Sequence, residues 1–210
     1  MYRLYHSPSS ASMAPHLLLR ELGVPHELVL TSTDAGDHRR PEYLRLNPHA
    51  RVPTLVDGDT VIYEATAIGL YLCERHPEGG FAPPIESPFR GDFLKWMVYL
   101  TNTIQPDLML YFYPERFVPE AQEAALKATV IDRVAGMFGR IDAHLAERPY
   151  LLGDRISAAD LYLFMLARWT RNATKKARDL PHLGGLLARV MARPRVQEAY
   201  ALEGLGEPYY

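Results

Sequence analysis

The sequence predicts two unlike units in one chain: a small α/β unit of order β-α-β-α-β-β-α, then an all-helical unit. Three observations predict this. Apolar residues alternate between strand and helix periods as far as Arg75. Two short apolar runs flank Asp57-Gly58-Asp59, a tight-turn signal. Strand signals vanish beyond Pro77–Pro88, where Gly79-Gly80 and Pro83-Pro84 break the pattern.

The elements follow in order. Tyr2 to Tyr5 reads as a strand, and Ser7-Pro8-Ser9-Ser10 as a turn that starts a helix. Met13, Leu17, Leu18 and Leu22 recur at helical spacing until Gly23 stops the helix. His26 to Leu30 is a second strand, followed by a charged loop from Thr31 to Arg40. Pro41 opens a short helix with Tyr43, Leu44 and Leu46. Thr54 to Val56 and Thr60 to Tyr63 form the hairpin, and Glu64 to Arg75 is helical. The first βαβ unit predicts parallel pairing and the hairpin an antiparallel pair. These elements set the first domain at residues 1–78, a linker at 79–88 and a helical domain at 89–210. In that domain Pro88 to Tyr113 is one long helical stretch interrupted at Pro106. Pro119 to Leu145 carries one apolar stripe from Ala124 to Leu145. Ser157-Ala158-Ala159-Asp160 is a capping-box variant that starts a buried helix, a structural role rather than a catalytic one. Shorter helices follow around Leu183–Met191 and Val196–Leu202.

Composition narrows the function classes. Of 210 residues, 48% are hydrophobic and 23% charged, which argues against disorder, collagen or coiled coil. The formal net charge is −2. Nucleic-acid and membrane-surface binders are usually basic, so no nucleic-acid or membrane partner is expected. The first residues do not resemble a leader, and no apolar run approaches the roughly 20 residues that span a bilayer. A cytoplasmic location is the expectation. The one cysteine, Cys73, can form neither an internal disulfide nor a Cys-rich zinc site. Thiol chemistry must therefore use Cys73 or an imported thiol. The eight histidines lack metal-ligand spacing, so no metal is expected.

Three segments could carry chemistry. Pro53 opens a strand without a ladder donor. A cis Val52–Pro53 bond would turn the Val52 backbone toward an extended peptide ligand; a plain strand-edge proline is the other reading. Glu64-Ala65-Thr66 lies at a helix start, where backbone N–H groups favour anions and Glu64 could hold an amino group. A helix-start glutamate that only favours the dipole is the alternative. Ser7, Ser9, Ser10 and Ser12 crowd another helix start. Each could cap the helix, or donate to a thiolate resting at its positive end.

Together these residues resemble a cytosolic glutathione transferase of bacterial, beta/theta-like type. The resemblance rests on Asn47-Pro48-His49-Ala50-Arg51-Val52-Pro53-Thr54-Leu55, on Glu64-Ala65-Thr66-Ala67-Ile68 with Tyr71-Leu72, and on Leu152 to Asp160. It implies a thioredoxin-like first domain and an all-helical second domain. It also implies a homodimer, with glutathione as co-substrate and a small electrophile as partner. Val52, before a cis Pro53, would pair with the cysteinyl part of glutathione. Glu64, Ala65 and Thr66 would hold the γ-glutamyl end, His38 would contact the glycine carboxylate, and Arg51 matches a basic residue beside the tripeptide. Two departures stand out. Ala65 replaces the family's usual serine, and Ala11 stands where beta-class members carry cysteine. The candidates beside the sulfur are then Ser10, Ser9 and Ser12 in that order, with Tyr5 near the site. The resemblance places an electrophile pocket on the first helix of the second domain, at Tyr99, Asn102, Gln105, Met109, Tyr111 and Tyr113.

The expected activity is conjugation of the glutathione thiolate to an apolar electrophile, a detoxification reaction. A glutathione-dependent isomerase or disulfide reductase is the alternative, as is a non-catalytic interaction protein of the same fold. Cys73 falls mid-helix between Leu72 and Glu74 and reads as a packing residue, so the working sulfur would be glutathione's.

Overall fold

The computed structural model describes residues 1–210. In chain order the first elements are β1 (Tyr2–His6), α1 (Met13–Leu22), β2 (His26–Leu30), α2 (Pro41–Leu44), β3 (Thr54–Asp57), β4 (Thr60–Tyr63) and α3 (Ala65–Arg75). Then come α4 (Arg90–Tyr99), α5 (Gln105–Phe112), α6 (Glu120–His144), α7 (Ala158–Trp169), α8 (Pro181–Met191) and α9 (Pro194–Leu202). One compact unit comprises Met1–Ala82 and Arg193–Gly206; the other comprises Pro83–Ala192 and Glu207–Tyr210.

The first unit is built on a four-stranded mixed sheet of order β2-β1-β3-β4. β1 runs parallel to β2, with Tyr2 opposite His26 and His6 opposite Leu30. β3 runs antiparallel to β1, Tyr5 facing Thr54, and β4 returns antiparallel with Tyr63 opposite Thr54. Gly58 takes φ 59° at the hairpin turn, a value that costs glycine nothing. Leu4 and Leu55 lie on the sheet, Leu17, Leu18 and Leu19 on α1, and Ile68 and Leu72 on α3; all are buried.

α1 differs from the expected one-sided stripe. Met13 to Leu19 is buried at every position, and so are His16 and Glu21. The cause is α9, which packs on α1 beside α3. Arg193 donates Nε to Glu21 Oε1 at 2.8 Å and a second guanidinium nitrogen to Oε2 at 2.5 Å. Arg195 donates to the carbonyls of Arg20 and Glu21 at 3.1 and 2.6 Å. Residues 193–206 therefore join the first unit, whereas the sequence reading assigned them to a helical domain of 89–210.

The second unit holds α4 to α8. α7 is buried from Ala158 to Trp169. Its start carries the expected capping box: Asp160, wholly buried, accepts from Ser157 N–H at 2.8 Å and Ser157 O–H at 2.7 Å. It also accepts from Leu151 N–H at 2.8 Å. The stretch expected from Pro88 to Tyr113 is helical from Arg90 to Phe112: α4 runs into α5 through a wide π turn at Leu100–Ile104, with right-handed helical dihedrals on both sides. Pro106 explains the π turn, because it has no N–H to return to the preceding turn. No helix is long and apolar enough to cross a membrane.

Candidate functional site

Strand register decides which loops meet. β1, β2 and β4 end, and β3 begins, at one edge of the sheet. Four loops therefore emerge there: Ser7–Ser12 after β1, Thr31–Arg40 after β2, Arg51–Pro53 before β3, and Glu64–Thr66 after β4. Their lateral order follows the sheet: His38, then the serines, then Val52, then Glu64. Strands about 4.8 Å apart make the edge roughly 14 Å wide.

The serine turn is closed by its own hydroxyls. Ser12 Oγ donates to the Ser7 carbonyl at 3.0 Å and accepts from Ser7 N–H at 3.2 Å. A hydroxyl has one proton, so the 2.8 Å contact between Ser10 Oγ and Ser12 Oγ is donated by Ser10. Ser12 N–H returns to Ser10 Oγ at 3.2 Å. Ser12 is wholly buried with its proton spent, and it turns back to Ser7 rather than forward onto α1. It locks the turn and has no proton left for a ligand. Ser9 and Ser10 are half-buried, and Ser9 adopts φ 59°, uncommon for a residue with a side chain. Ser7 Oγ lies 3.3 Å from Thr33 Oγ1, tying the turn to the loop after β2.

In that loop Asp37 accepts from Ser32 N–H at 3.0 Å and pairs with Arg40 at 2.7 Å. These contacts shape the short turn Asp37–Arg39 that carries His38. His38 is half-buried, and its Nδ1 has no protein partner.

The Val52–Pro53 bond is cis. The β1–β3 ladder begins at Thr54, so Val52 lies just outside it. The chain entering it is held from α2. Tyr43 O–H donates to the Arg51 carbonyl, and Asn47 Nδ2 donates to the same oxygen at 2.9 Å. With the Tyr43 proton spent, the Thr54 hydroxyl donates to Tyr43 at 2.8 Å. Burial pushes the Tyr43 phenol above its usual value. Tyr5 lies with its ring 5.7 Å from that of Tyr43 and half-buried, packing beside this network. The Arg51 side chain is exposed.

Glu64 is exposed and takes φ 71°, ψ 113°, a strained backbone of the kind that clusters at binding sites. Its carbonyl accepts from Ile68 N–H at 2.9 Å, so α3 starts directly after it. Ala65 is buried and Thr66 half-buried in that first turn. Cys73 is buried further along α3.

Five of the six expected pocket residues lie along one helical run that contains a π turn, and Tyr113 follows its end. Tyr99 ends α4 and Asn102 lies in the turn; Gln105, Met109 and Tyr111 are on α5; Tyr113 follows it. Gln105 Oε1 accepts from the Tyr162 hydroxyl. The Tyr99 ring meets Trp96 at 5.8 Å, and Tyr111 meets Phe112 at 5.3 Å. The Arg116 guanidinium sits 4.0 Å over Tyr113. No group of three or more His, Cys, Asp or Glu is placed to hold a metal ion.

Sequence reasoning missed Tyr43, Thr33, His16 and Glu203. Tyr43 reads as one apolar position of a short helix, and its hydroxyl carries no pattern. Glu203 accepts from Ser9 N–H at 3.0 Å and lies 2.7 Å from His16 Nδ1, contacts spanning 194 and 187 residues. No local signal could find them.

The chain matches two family models: the glutathione S-transferase N-terminal domain over residues 4–80 and the C-terminal domain over residues 100–194. It is 31% identical over 206 residues to glutathione S-transferase GST-4.5 of Xanthomonas campestris, covering 97% of this chain and 99% of that protein. A glutathione S-transferase structure from Xylella fastidiosa superposes with TM-score 0.91 at 29% identity, covering 98% of this chain and all of that one. A sphingomonad glutathione S-transferase complexed with glutathione does so with TM-score 0.85 at 29% identity, covering 97% and 100%. On fold, loop placement and whole-length similarity, the chain belongs to the glutathione S-transferase family.

Proposed function

We propose that this protein conjugates the thiolate of glutathione to a small apolar electrophile. The observation that carries the reading is the order of loops along one sheet edge. Glu64 and the α3 start, then Val52, the serine turn and His38 follow each other across the strands. Glutathione has the same order: a γ-glutamyl end with amine and carboxylate, a cysteinyl centre, and a glycine carboxylate. An extended tripeptide spans roughly 10 Å of backbone with its charged ends beyond, which suits the edge. Glu64 takes the amine, and the α3 backbone N–H groups with Thr66 take the neighbouring carboxylate in place of a serine at Ala65. Val52 pairs with the cysteinyl backbone. His38, with Arg51, receives the glycine carboxylate.

The sulfur then rests beside the serine turn, and Ser10 is the residue assigned to it, with Ser9 second. In the free protein the Ser10 proton is on Ser12. Turning it to a thiolate exchanges a neutral hydrogen bond of about 0.5–1.5 kcal/mol for a charge-assisted one of about 1.5–3 kcal/mol, so the exchange is favourable. A free thiol near pKa 8.5 is lowered at helix starts to roughly 3.5–7.5. The thiolate attacks the electrophilic carbon, a C–S bond forms and the leaving group departs as an anion. The buried Cys73 supports a mechanism in which the only sulfur at work is glutathione's. Family membership supports a homodimer as the working assembly.

The test is Ser10→Ala with a model aryl halide. The bound thiol pKa should rise and kcat fall, with KM for glutathione nearly unchanged. Wild-type kcat and thiol pKa in this variant would remove Ser10 from the mechanism. Maleylacetoacetate and maleylpyruvate, assayed in parallel, separate transferase from isomerase. Absence of glutathione binding in calorimetry at millimolar ligand would overturn both.

A further inference from the structure

The side chain of Glu203, at the end of α9, is 1% exposed. A buried carboxylate needs donors on its oxygens. Oε1 is 2.7 Å from Nδ1 of the buried His16, and Oε2 accepts from Ser9 N–H at 3.0 Å. Since a carboxylate only accepts, the His16 contact places a proton on Nδ1.

Docking of α9 explains the His16 contact, which lies on α1, but not the contact with Ser9. The far end of α9 is already fixed to α1 by the forked Arg193–Glu21 pair and by Arg195 on two carbonyls. The Glu203 bond instead reaches Ser9, one of three non-glycine residues with positive φ in the chain. Ser9 directly precedes Ser10, whose hydroxyl faces Ser12. Rotation of Ser9 to an ordinary φ would swing Ser10 away from that partner.

We infer that Glu203 is a positioning residue for the serine turn: its carboxylate pins the Ser9 backbone and thereby sets where the Ser10 hydroxyl sits. The inference that this serves the thiolate rests on the transferase reading above; the pin itself does not. The C-terminal helix is then part of the apparatus that activates the sulfur.

Glu203→Asp keeps the charge but is one methylene short of spanning both His16 and Ser9. In the free protein, hydrogen exchange of residues 7–12 should rise about tenfold or more, selectively over the rest of α1 and α9. With glutathione bound, the thiol pKa should rise and kcat should fall about tenfold to a hundredfold, KM for glutathione staying within about threefold. Glycine adopts positive φ freely, so in a Ser9→Gly background the further loss caused by Glu203→Asp should shrink to about threefold or less. Glu203→Gln keeps an acceptor for Ser9 and should hold exchange in 7–12 near the wild-type rate. Unchanged exchange in 7–12 in Glu203→Asp would overturn the pin, and so would an equal rise throughout α1 and α9. Equal catalytic losses in both Ser9 backgrounds would overturn its route to the sulfur. A wild-type protein that binds no glutathione would sink the transferase reading, while the exchange data still decide the pin.

Discussion

Replacing Asp160 by asparagine changes almost no volume at the start of α7 but removes acceptors where three donors converge. Both N–H donors lie at 2.8 Å and the Ser157 hydroxyl at 2.7 Å, all on a wholly buried carboxylate. Asparagine has one acceptor oxygen. Its best placement keeps that oxygen on Ser157 and turns the amide nitrogen toward Leu151 N–H, donor against donor. One buried unpaired N–H costs about 1–3 kcal/mol, and the amide adds a second. The expected loss is about 2–4 kcal/mol, a large share of the roughly 5–15 kcal/mol that holds a domain. Ser157→Ala removes the hydroxyl that donates to the carboxylate and accepts from Asp160 N–H, and leaves the two N–H bonds to the carboxylate, for about 1 kcal/mol. Burial pushes the Asp160 carboxyl up to about 6 despite its donors, above the unfolded value of 3.8. Its titration therefore removes stability as the pH rises from the unfolded value through the folded one. Urea unfolding near pH 7.5, above that window, compares the ionised wild type with the neutral variant. The double variant should lose less than the sum, because the Ser157 hydroxyl bond that Ser157→Ala removes is already reduced from a charge-assisted to a neutral one in Asp160→Asn. An Asp160→Asn midpoint no lower than that of Ser157→Ala would refute the three-donor account. A selective loss of kcat in the folded variant would refute the structural assignment.

Three further outcomes follow from the first unit. Tyr43→Phe leaves the buried Thr54 hydroxyl without its acceptor and the Arg51 carbonyl with Asn47 alone; stability should fall by about 1–2 kcal/mol and KM for glutathione rise severalfold, and steady-state kinetics with urea unfolding check both. Ala65→Ser restores a hydroxyl at the α3 start, so calorimetry should show glutathione binding about two- to tenfold tighter, and weaker binding would deny Ala65 a place beside the γ-glutamyl carboxylate. Burial holds the pKa of His6, and likewise that of His26, below the ordinary 6.5. Folding then excludes protons that the unfolded chain binds, so stability present above pH 6.5 is lost as the pH falls through the folded values, and His6→Phe should flatten part of that slope in unfolding curves.

Much of the first unit was legible because its signals are local. Gly58, Gly23 and Pro41 sit where a turn, a helix stop and a helix start require them. The capping box at Ser157 is likewise a four-residue signal, and its geometry matches. Pro106 marked an interruption in the long helical stretch, but that the chain passes it by a π turn and stays helical depends on how it recovers from a missing N–H. Around the serines, the sequence offered candidates with Ser10 first, but could not say how their hydroxyls pair. Which hydroxyl is spent depends on the fold of the turn, and there Ser12 takes the Ser7 carbonyl while Ser10 donates to Ser12.

By itself the sequence determined the element order of the first unit, the change from an α/β to an all-helical unit, and the family. These depend on periodicity, turn chemistry and contiguous motifs, which are properties of neighbours along the chain. Only the tertiary structure decided that α9 belongs to the first unit, that α2 holds the Arg51 carbonyl through Tyr43 and Asn47, and that Glu203 reaches Ser9. Each depends on a hydrogen-bonding group whose partner lies on another segment. A side chain's chemistry says that it needs a partner, and packing alone chooses which one it gets.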